Sequence, residues 1–136
     1  MTSTGKTILL VDDEPRVLDL LRAVLTGNGY RVLIASSGQV AISLFEEEGR
    51  KVDLLITDVV MPGMLGTELA NRLLAVQPDL PVLYTSGVVD SHLLERFIEC
   101  RYRSYVVEKP FEMGALLRLV QEAVGEPKPL AVGSGA

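Results

Sequence analysis

Three short apolar runs of the sequence end in charged side chains. These side chains are Asp12 and Asp13 after the first run, Asp58 after the second and Lys109 after the third. Runs of this length, bounded by turn residues, are typical of buried strands. Open α/β sheets place their sites at the carboxyl ends of the strands, so charged residues there favour a site over a core position. If the strands are parallel, the three carboxylates and the lysine converge at one edge.

That combination suits phosphoryl chemistry. Three carboxylates close together are unfavourable unless a cation lies among them, and an all-oxygen ligand set favours Mg²⁺, or Mn²⁺, over zinc. Lys109 is suited to bind a phosphoryl oxygen, and Ser86, after the apolar run Val82–Thr85, adds a hydroxyl donor. A carboxylate nucleophile, a metal, a lysine and a hydroxyl are what a protein needs to accept a phosphoryl group as an acyl phosphate.

The elements that must position these residues follow from the apolar pattern and the turn residues. Strands are predicted at about Thr7–Val11, Arg31–Ala35, Leu54–Thr57, Val82–Thr85 and Ser104–Val107. Helices are predicted between Pro15 and Asn28, between Gly38 and Glu48, and at about Gly66–Val76, Ser91–Cys100 and Met113–Val124. Strict alternation implies parallel strands with right-handed crossovers. The fold class is therefore α/β: a flavodoxin-like, doubly wound (βα)5 sheet of five parallel strands, order 2-1-3-4-5, with helices on both faces.

Helical spacing also predicts the buried faces of the first two helices. In the first helix the apolar positions are Val17, Leu18, Leu20, Leu21, Val24 and Leu25. In the second they are Val40, Ala41, Leu44 and Phe45.

Length and composition narrow the function classes. A chain of 136 residues is one domain, here residues 7–125 between a flexible N-terminus (1–6) and a disordered tail or linker (126–136). The net charge of −5 and the lack of a basic run argue against direct nucleic-acid binding. Cys100 is the only cysteine, which excludes an intramolecular disulfide and a cysteine-based zinc site. Without a signal peptide or an apolar run long enough to span a membrane, the expected location is the cytoplasm.

The chain resembles the receiver domain of two-component response regulators, over about Lys6–Gly125. Four segments carry the resemblance, in order and on the expected elements: Leu10–Glu14, Thr57–Gly63, Thr85–Gly87 and Lys109–Phe111. Each segment is weak evidence alone, and the four together are specific. The segments Asp58–Gly63 and Tyr84–Gly87 are most similar to those of receivers attached to hybrid histidine kinases.

The resemblance implies a role for each acidic residue. Asp58 is expected to be the phosphoacceptor, which receives a phosphoryl group from a histidine kinase or a histidine phosphotransfer protein. Asp12 and Asp13 are expected to hold Mg²⁺ directly or through water, with Asp58 and the backbone carbonyl of Val60 as further ligands.

The resemblance also assigns Ser86 as the switch hydroxyl and Lys109 as the phosphate-binding lysine, with a cis bond between Lys109 and Pro110. The family usually has an aromatic residue three positions before the lysine, where this chain has Val106. Tyr105 lies one step earlier, which in a strand is the opposite face. Either a bulge restores the aromatic position, or the usual coupling of hydroxyl and aromatic residue is missing.

The output implied is protein binding rather than catalysis on other molecules. A downstream protein is expected to contact the face formed by the fourth helix, the fifth strand and the fifth helix. A second copy of the chain is a further possible partner, in a homodimer that depends on phosphorylation. Like the family, the chain is expected to catalyse only its own phosphoryl transfer and dephosphorylation.

Two other functions fit some of the residues. A Mg²⁺-dependent phosphohydrolase of the haloacid-dehalogenase type would use Asp58 as nucleophile, but it needs a second aspartate at the position of Val60 and a cap for which the chain has no room. A receiver-like module that is never phosphorylated would not require the acidic pair, Asp58 and Lys109, all of which are present.

Overall fold

A computed structural model describes residues 4–48, 51–87 and 104–125. Within these ranges the strands are β1 (Thr7–Val11), β2 (Arg31–Ala35), β3 (Leu54–Asp58), β4 (Val82–Ser86) and β5 (Ser104–Glu108). The helices are α1 (Pro15–Gly27), α2 (Gly38–Glu48), α3 (Gly66–Val76) and α4 (Met113–Val124). The predicted helix at 91–100, Cys100 and the predicted tail at 126–136 lie outside the described residues.

The five strands form one parallel sheet in the order β2-β1-β3-β4-β5, which confirms the predicted topology. Three strands are one residue longer than predicted, because Asp58, Ser86 and Glu108 still belong to the ladder. Their register is nearly level: Asp58 pairs with Thr85, and Ser86 pairs with Glu108. The charged strand ends therefore meet at one edge, which we call the carboxyl edge.

Alternation along the strands sends side chains to two separate cores. On one face, Leu9, Leu55 and Tyr84 pack with residues of α2 and α3. On the other face, the neighbouring strand positions Leu10 and Ile56 pack with residues of α1 and α4. The sheet is thus covered on both sides, as a doubly wound fold requires.

Two predicted core positions are wrong. Leu20 of α1 is 53% exposed and Val40 of α2 is 43% exposed. In α1 the buried stripe is Leu18, Leu21 and Leu25, and Leu20 lies off that stripe because each helical residue rotates by about 100°.

The structure also decides between Tyr105 and Val106. The ladder between β4 and β5 runs without a bulge from Val82↔Ser104 to Ser86↔Glu108. Val106 packs against the core that contains Tyr84, whereas Tyr105 packs against the opposite core. The position three residues before Lys109 is therefore occupied by valine on that face, and no bulge brings Tyr105 to it.

Candidate functional site

The carboxyl edge brings three aspartates together. One carboxylate oxygen from each of Asp12, Asp13 and Asp58 lies within 4.8 Å of the others. Asp12 and Asp13 follow β1, and Asp58 is the last residue of the adjacent β3, so the parallel pairing of these two strands produces the cluster. Asp12 is buried, Asp58 is half-buried and Asp13 is exposed, which leaves the cluster open to solvent on one side.

Lys109 supplies the positive charge. Its Nζ lies 3.4 Å from Asp12 Oδ2 and 3.3 Å from Asp58 Oδ2. The lysine follows β5, two strands away from β3, so its long side chain spans β4 to reach both carboxylates. Its backbone N–H donates to the carbonyl of Ser86 at 2.8 Å, and the Lys109–Pro110 bond is cis, as the resemblance implied.

The two oxygens of Asp12 have different partners. Oδ1 accepts a hydrogen bond from the backbone N–H of Glu14 at 2.9 Å, and Oδ2 faces Lys109. The first contact shapes the turn into α1, whose N-terminal cap is the Glu14 side chain and whose first residue is Pro15. Asp12 thus holds the turn that precedes α1 and also belongs to the charged cluster.

The electrostatics reflect an excess of negative charge. Burial raises the pKa of the Asp58 carboxyl above its ordinary value; Lys109 offsets part of that rise, and Asp12 adds to it. Burial lowers the pKa of Lys109, but Asp12 and Asp58 outweigh burial and leave that pKa raised. The lysine therefore stays protonated near neutral pH, and one positive charge faces three carboxylates.

The backbone around Asp58 is held by groups on three elements. The Thr57 hydroxyl donates to the Asp58 carbonyl at 2.9 Å. Val59 donates its N–H to the Thr85 carbonyl at 3.1 Å and accepts a hydrogen bond from Gly66 N–H at 2.7 Å. Val60 follows directly and is 53% exposed.

Ser86 has a buried hydroxyl at the same edge. The residue is fully buried, and its Oγ has no hydrogen-bond partner among the described residues. An unpaired buried hydroxyl is costly, so Ser86 is a donor in need of an acceptor.

A cation fits this cluster chemically. The donors are oxygens only, the carboxylates outnumber the lysine, and one side is open for water, which Mg²⁺ retains when it binds to proteins. Asp12 Oδ2, Asp13 and Asp58 are the residues that could hold it. The sequence indicated no role for the Thr57 hydroxyl or for the missing side chain of Gly66, which hold the backbone after Asp58; only the close approach of α3 to β3 identifies these roles.

Comparison with known proteins gives the family. The sequence pattern of the response regulator receiver domain matches residues 8–121. The chain belongs to the response regulator receiver domain family. Receiver domains are the signal-accepting domains of two-component systems, and the phosphoryl donors of the family are histidine kinases.

Individual related proteins agree with this family assignment. The sensor kinase CckA of Brucella abortus is 36% identical over 121 residues, which are 88% of this chain and 13% of the kinase. The receiver domain of hybrid histidine kinase CckA superposes with a TM-score of 0.75 at 30% identity, over 87% of this chain and 98% of that one. TrrA of Thermotoga maritima, solved in complex with Mg(2+)-BeF, gives a TM-score of 0.74 at 31% identity over the same shares.

This receiver chain spans 13–27% of the length of the CckA kinase and of three transcriptional regulators that it also matches. Within the described residues, no helix is long and apolar enough to cross a bilayer.

Proposed function

We propose that this receiver domain accepts a phosphoryl group on Asp58, with Mg²⁺ bound by Asp12, Asp13, Asp58 and the Val60 carbonyl. The observation that carries the proposal is the position of Asp58. Its carboxylate is 3.3 Å from Lys109 Nζ and shares a cluster with Asp12 and Asp13, so nucleophile, cation ligands and phosphate-binding cation are adjacent. The related TrrA, which was solved with Mg(2+)-BeF, supports the same reading.

The reaction is a transfer from a phosphohistidine. A carboxylate oxygen of Asp58 forms a bond to phosphorus, the P–N bond of the donor breaks, and its electron pair stays on the imidazole nitrogen, which takes a proton from solvent. When bound, Mg²⁺ supplies positive charge that offsets the charge of the phosphoryl oxygens. Lys109 Nζ binds one of these oxygens, and the Ser86 hydroxyl donates to another.

The expected consequence is a change of surface. Phosphorylation replaces the single negative charge of the Asp58 carboxylate with about two negative charges on the phosphoryl group, which draws Ser86 and Lys109 toward it and moves the loops after β3 and β4. The donor is a histidine kinase or a histidine phosphotransfer protein, in the cytoplasm. The signal passes to a downstream protein, or to a second copy of the chain, that binds the face around β5 and α4. The chain acts on no other substrate.

Intact mass spectrometry tests the proposal. The protein is incubated with acetyl phosphate and Mg²⁺, in parallel with an EDTA sample and an Asp58→Asn variant. One phosphoryl adduct is expected, absent from both controls. Folded wild-type protein that binds Mg²⁺ but acquires no adduct from acetyl phosphate or from a phosphorylated histidine donor would instead indicate a docking module that is not phosphorylated.

A further inference from the structure

The hydroxyl of Thr57 lies directly behind the proposed phosphoacceptor. Thr57 is fully buried, and its Oγ1 donates a hydrogen bond of 2.9 Å to the carbonyl oxygen of the next residue, Asp58. A buried hydroxyl without a hydrogen-bond partner is unfavourable, so the Thr57 hydroxyl is expected to keep its hydrogen bond to the Asp58 carbonyl. Its acceptor belongs to the peptide that carries the phosphoacceptor, and the bond therefore restricts rotation of that peptide.

Gly66 closes on the same two groups from the first turn of α3. A Cβ atom at this position would overlap the Asp58 carbonyl oxygen, and it would lie 3.0 Å from the carbonyl carbon and 3.1 Å from Thr57 Oγ1. The absence of a side chain lets the helix backbone press on the peptide that Thr57 bonds. The N–H of Gly66 then reaches the Val59 carbonyl at 2.7 Å.

These contacts form one arrangement. Thr57 fixes the Asp58 carbonyl, β4 fixes the Val59 N–H through Thr85, and α3 fixes the Val59 carbonyl through Gly66. Three successive backbone groups are thus held by partners on a strand, a neighbouring strand and a helix. Only the Thr57 contact is made by a side chain, so it is the one that substitution can remove cleanly.

We propose that Thr57 is a positioning residue for phosphorylation. Its hydroxyl, enclosed by Gly66, sets the orientation of the Asp58 peptide and so aims the carboxylate at the space between Lys109 and the other aspartates. This role acts through the Asp58 peptide and requires no contact of Thr57 with the phosphoryl donor or the cation. This role rests on the proposed function of Asp58. A misplacement of about 1 Å at a reacting group costs about 100-fold in rate, so loss of the hydroxyl has a measurable kinetic effect.

Four variants test the role. Thr57→Val keeps the shape of the side chain and removes the hydroxyl. Thr57→Ala removes the hydroxyl with a smaller side chain and serves as the second test if the Thr57→Val protein does not fold. Thr57→Ser restores the hydroxyl. Thr7→Val is the matched control, because Thr7 is a buried threonine at the opposite end of the sheet, on β1. For each folded variant, the maximal rate of adduct formation from acetyl phosphate at saturating Mg²⁺ is measured beside the melting temperature.

We expect Thr57→Val and Thr57→Ala to slow the maximal rate by about tenfold or more, and Thr57→Ser to stay within about twofold of the wild type. Thr7→Val is expected to alter melting without altering the rate. Wild-type rates in the variants without the hydroxyl, or a serine variant as slow as valine, would overturn the positioning role while leaving Asp58 as phosphoacceptor. Wild-type protein that acquires no adduct from acetyl phosphate or from a phosphorylated histidine donor would remove both proposals.

Discussion

Asp53 directly precedes β3 and Asp58 is its last residue, and the two carboxylates have different partners. Asp53 accepts a hydrogen bond from the Thr7 backbone N–H at 2.8 Å, and its own N–H donates to the Thr7 carbonyl at 2.8 Å. Those two bonds join the beginnings of β1 and β3. Asp58, at the other end, shares a cluster with two further carboxylates and is 3.3 Å from Lys109.

The difference shows what each edge of the sheet does. At the opposite edge, where the strands begin and which we call the amino edge, polar side chains complete the hydrogen bonding of the backbone. Asp53 accepts from the Thr7 N–H, and Gln77 donates to the Val52 carbonyl at 3.0 Å. At the carboxyl edge, like charges are gathered where they repel one another, which lowers stability unless a ligand is bound. Asp53 at the first edge stabilises the fold, whereas the three aspartates at the second edge form the cluster to which we assign the chemistry.

The largest contrast is expected from alanine at the two positions. Asp58→Ala removes the proposed nucleophile and should abolish the phosphoryl adduct. Asp53→Ala should keep the adduct and lower the free energy of unfolding by about 1–3 kcal/mol, because the Thr7 N–H loses its acceptor. Intact mass and urea unfolding measure the two effects. An Asp53 variant without the adduct but with unchanged stability would reverse the comparison.

Lys109→Gln should slow phosphorylation by about 100-fold, since one preorganised charge on a transferred group has that effect. The same change removes the positive charge that faces Asp12 and Asp58, so the metal-free protein should also become less stable. Initial rates from acetyl phosphate and urea unfolding in EDTA measure both. Lys6→Gln, at the amino edge, is the matched control and should leave the rate unchanged. A normal rate in Lys109→Gln would mean that this lysine does not contact the phosphoryl group.

Addition of Mg²⁺ should stabilise the wild type by about 3 kcal/mol at 100 times the dissociation constant, because the ion binds only the folded cluster. Asp53→Asn should show the same gain and Asp58→Asn a smaller one. Thermal melts with EDTA and with increasing Mg²⁺ provide the comparison. An equal Mg²⁺ effect in both variants would place the ion away from Asp58.

The pH dependence of metal-free stability gives a smaller effect. Burial raises the pKa of the Asp58 carboxyl in the folded protein, so ionisation of this carboxyl disfavours folding. The penalty is absent below the pKa of Asp58 in the unfolded chain, and it grows as the pH rises through the pKa in the folded protein. In EDTA at neutral pH, Asp58→Asn should therefore be more stable than the wild type. The gap should close as the pH falls and Asp58 becomes protonated. Urea unfolding at several pH values measures it, and a gap that widens toward acid would contradict the sign.

Much of this arrangement could be predicted from the sequence, because the topology requires it. Once the elements alternate, the strands are parallel, and Asp12, Asp58 and Lys109 must end at the same edge. The cis bond before Pro110 followed from the family resemblance.

Other features depend on details that periodicity does not contain. The exposure of Leu20 and Val40 depends on where each helix axis lies over the sheet. The division of the two Asp12 oxygens between Glu14 and Lys109 depends on the path of a turn. The contact between Thr57, Asp58 and Gly66 joins residues eight or nine apart through backbone atoms, which no side-chain pattern reveals.

The position of the phosphoryl group tests the central claim most directly. Sodium borohydride reduces an aspartyl phosphate to homoserine, which marks the modified residue permanently. Protein treated with acetyl phosphate and Mg²⁺, reduced, digested and sequenced by tandem mass spectrometry should contain homoserine at position 58 and unmodified aspartate at 12, 13 and 53. Homoserine at 12 or 13, or a phosphoryl group on Ser86 that resists borohydride, would contradict the assignment of Asp58 as the phosphoacceptor.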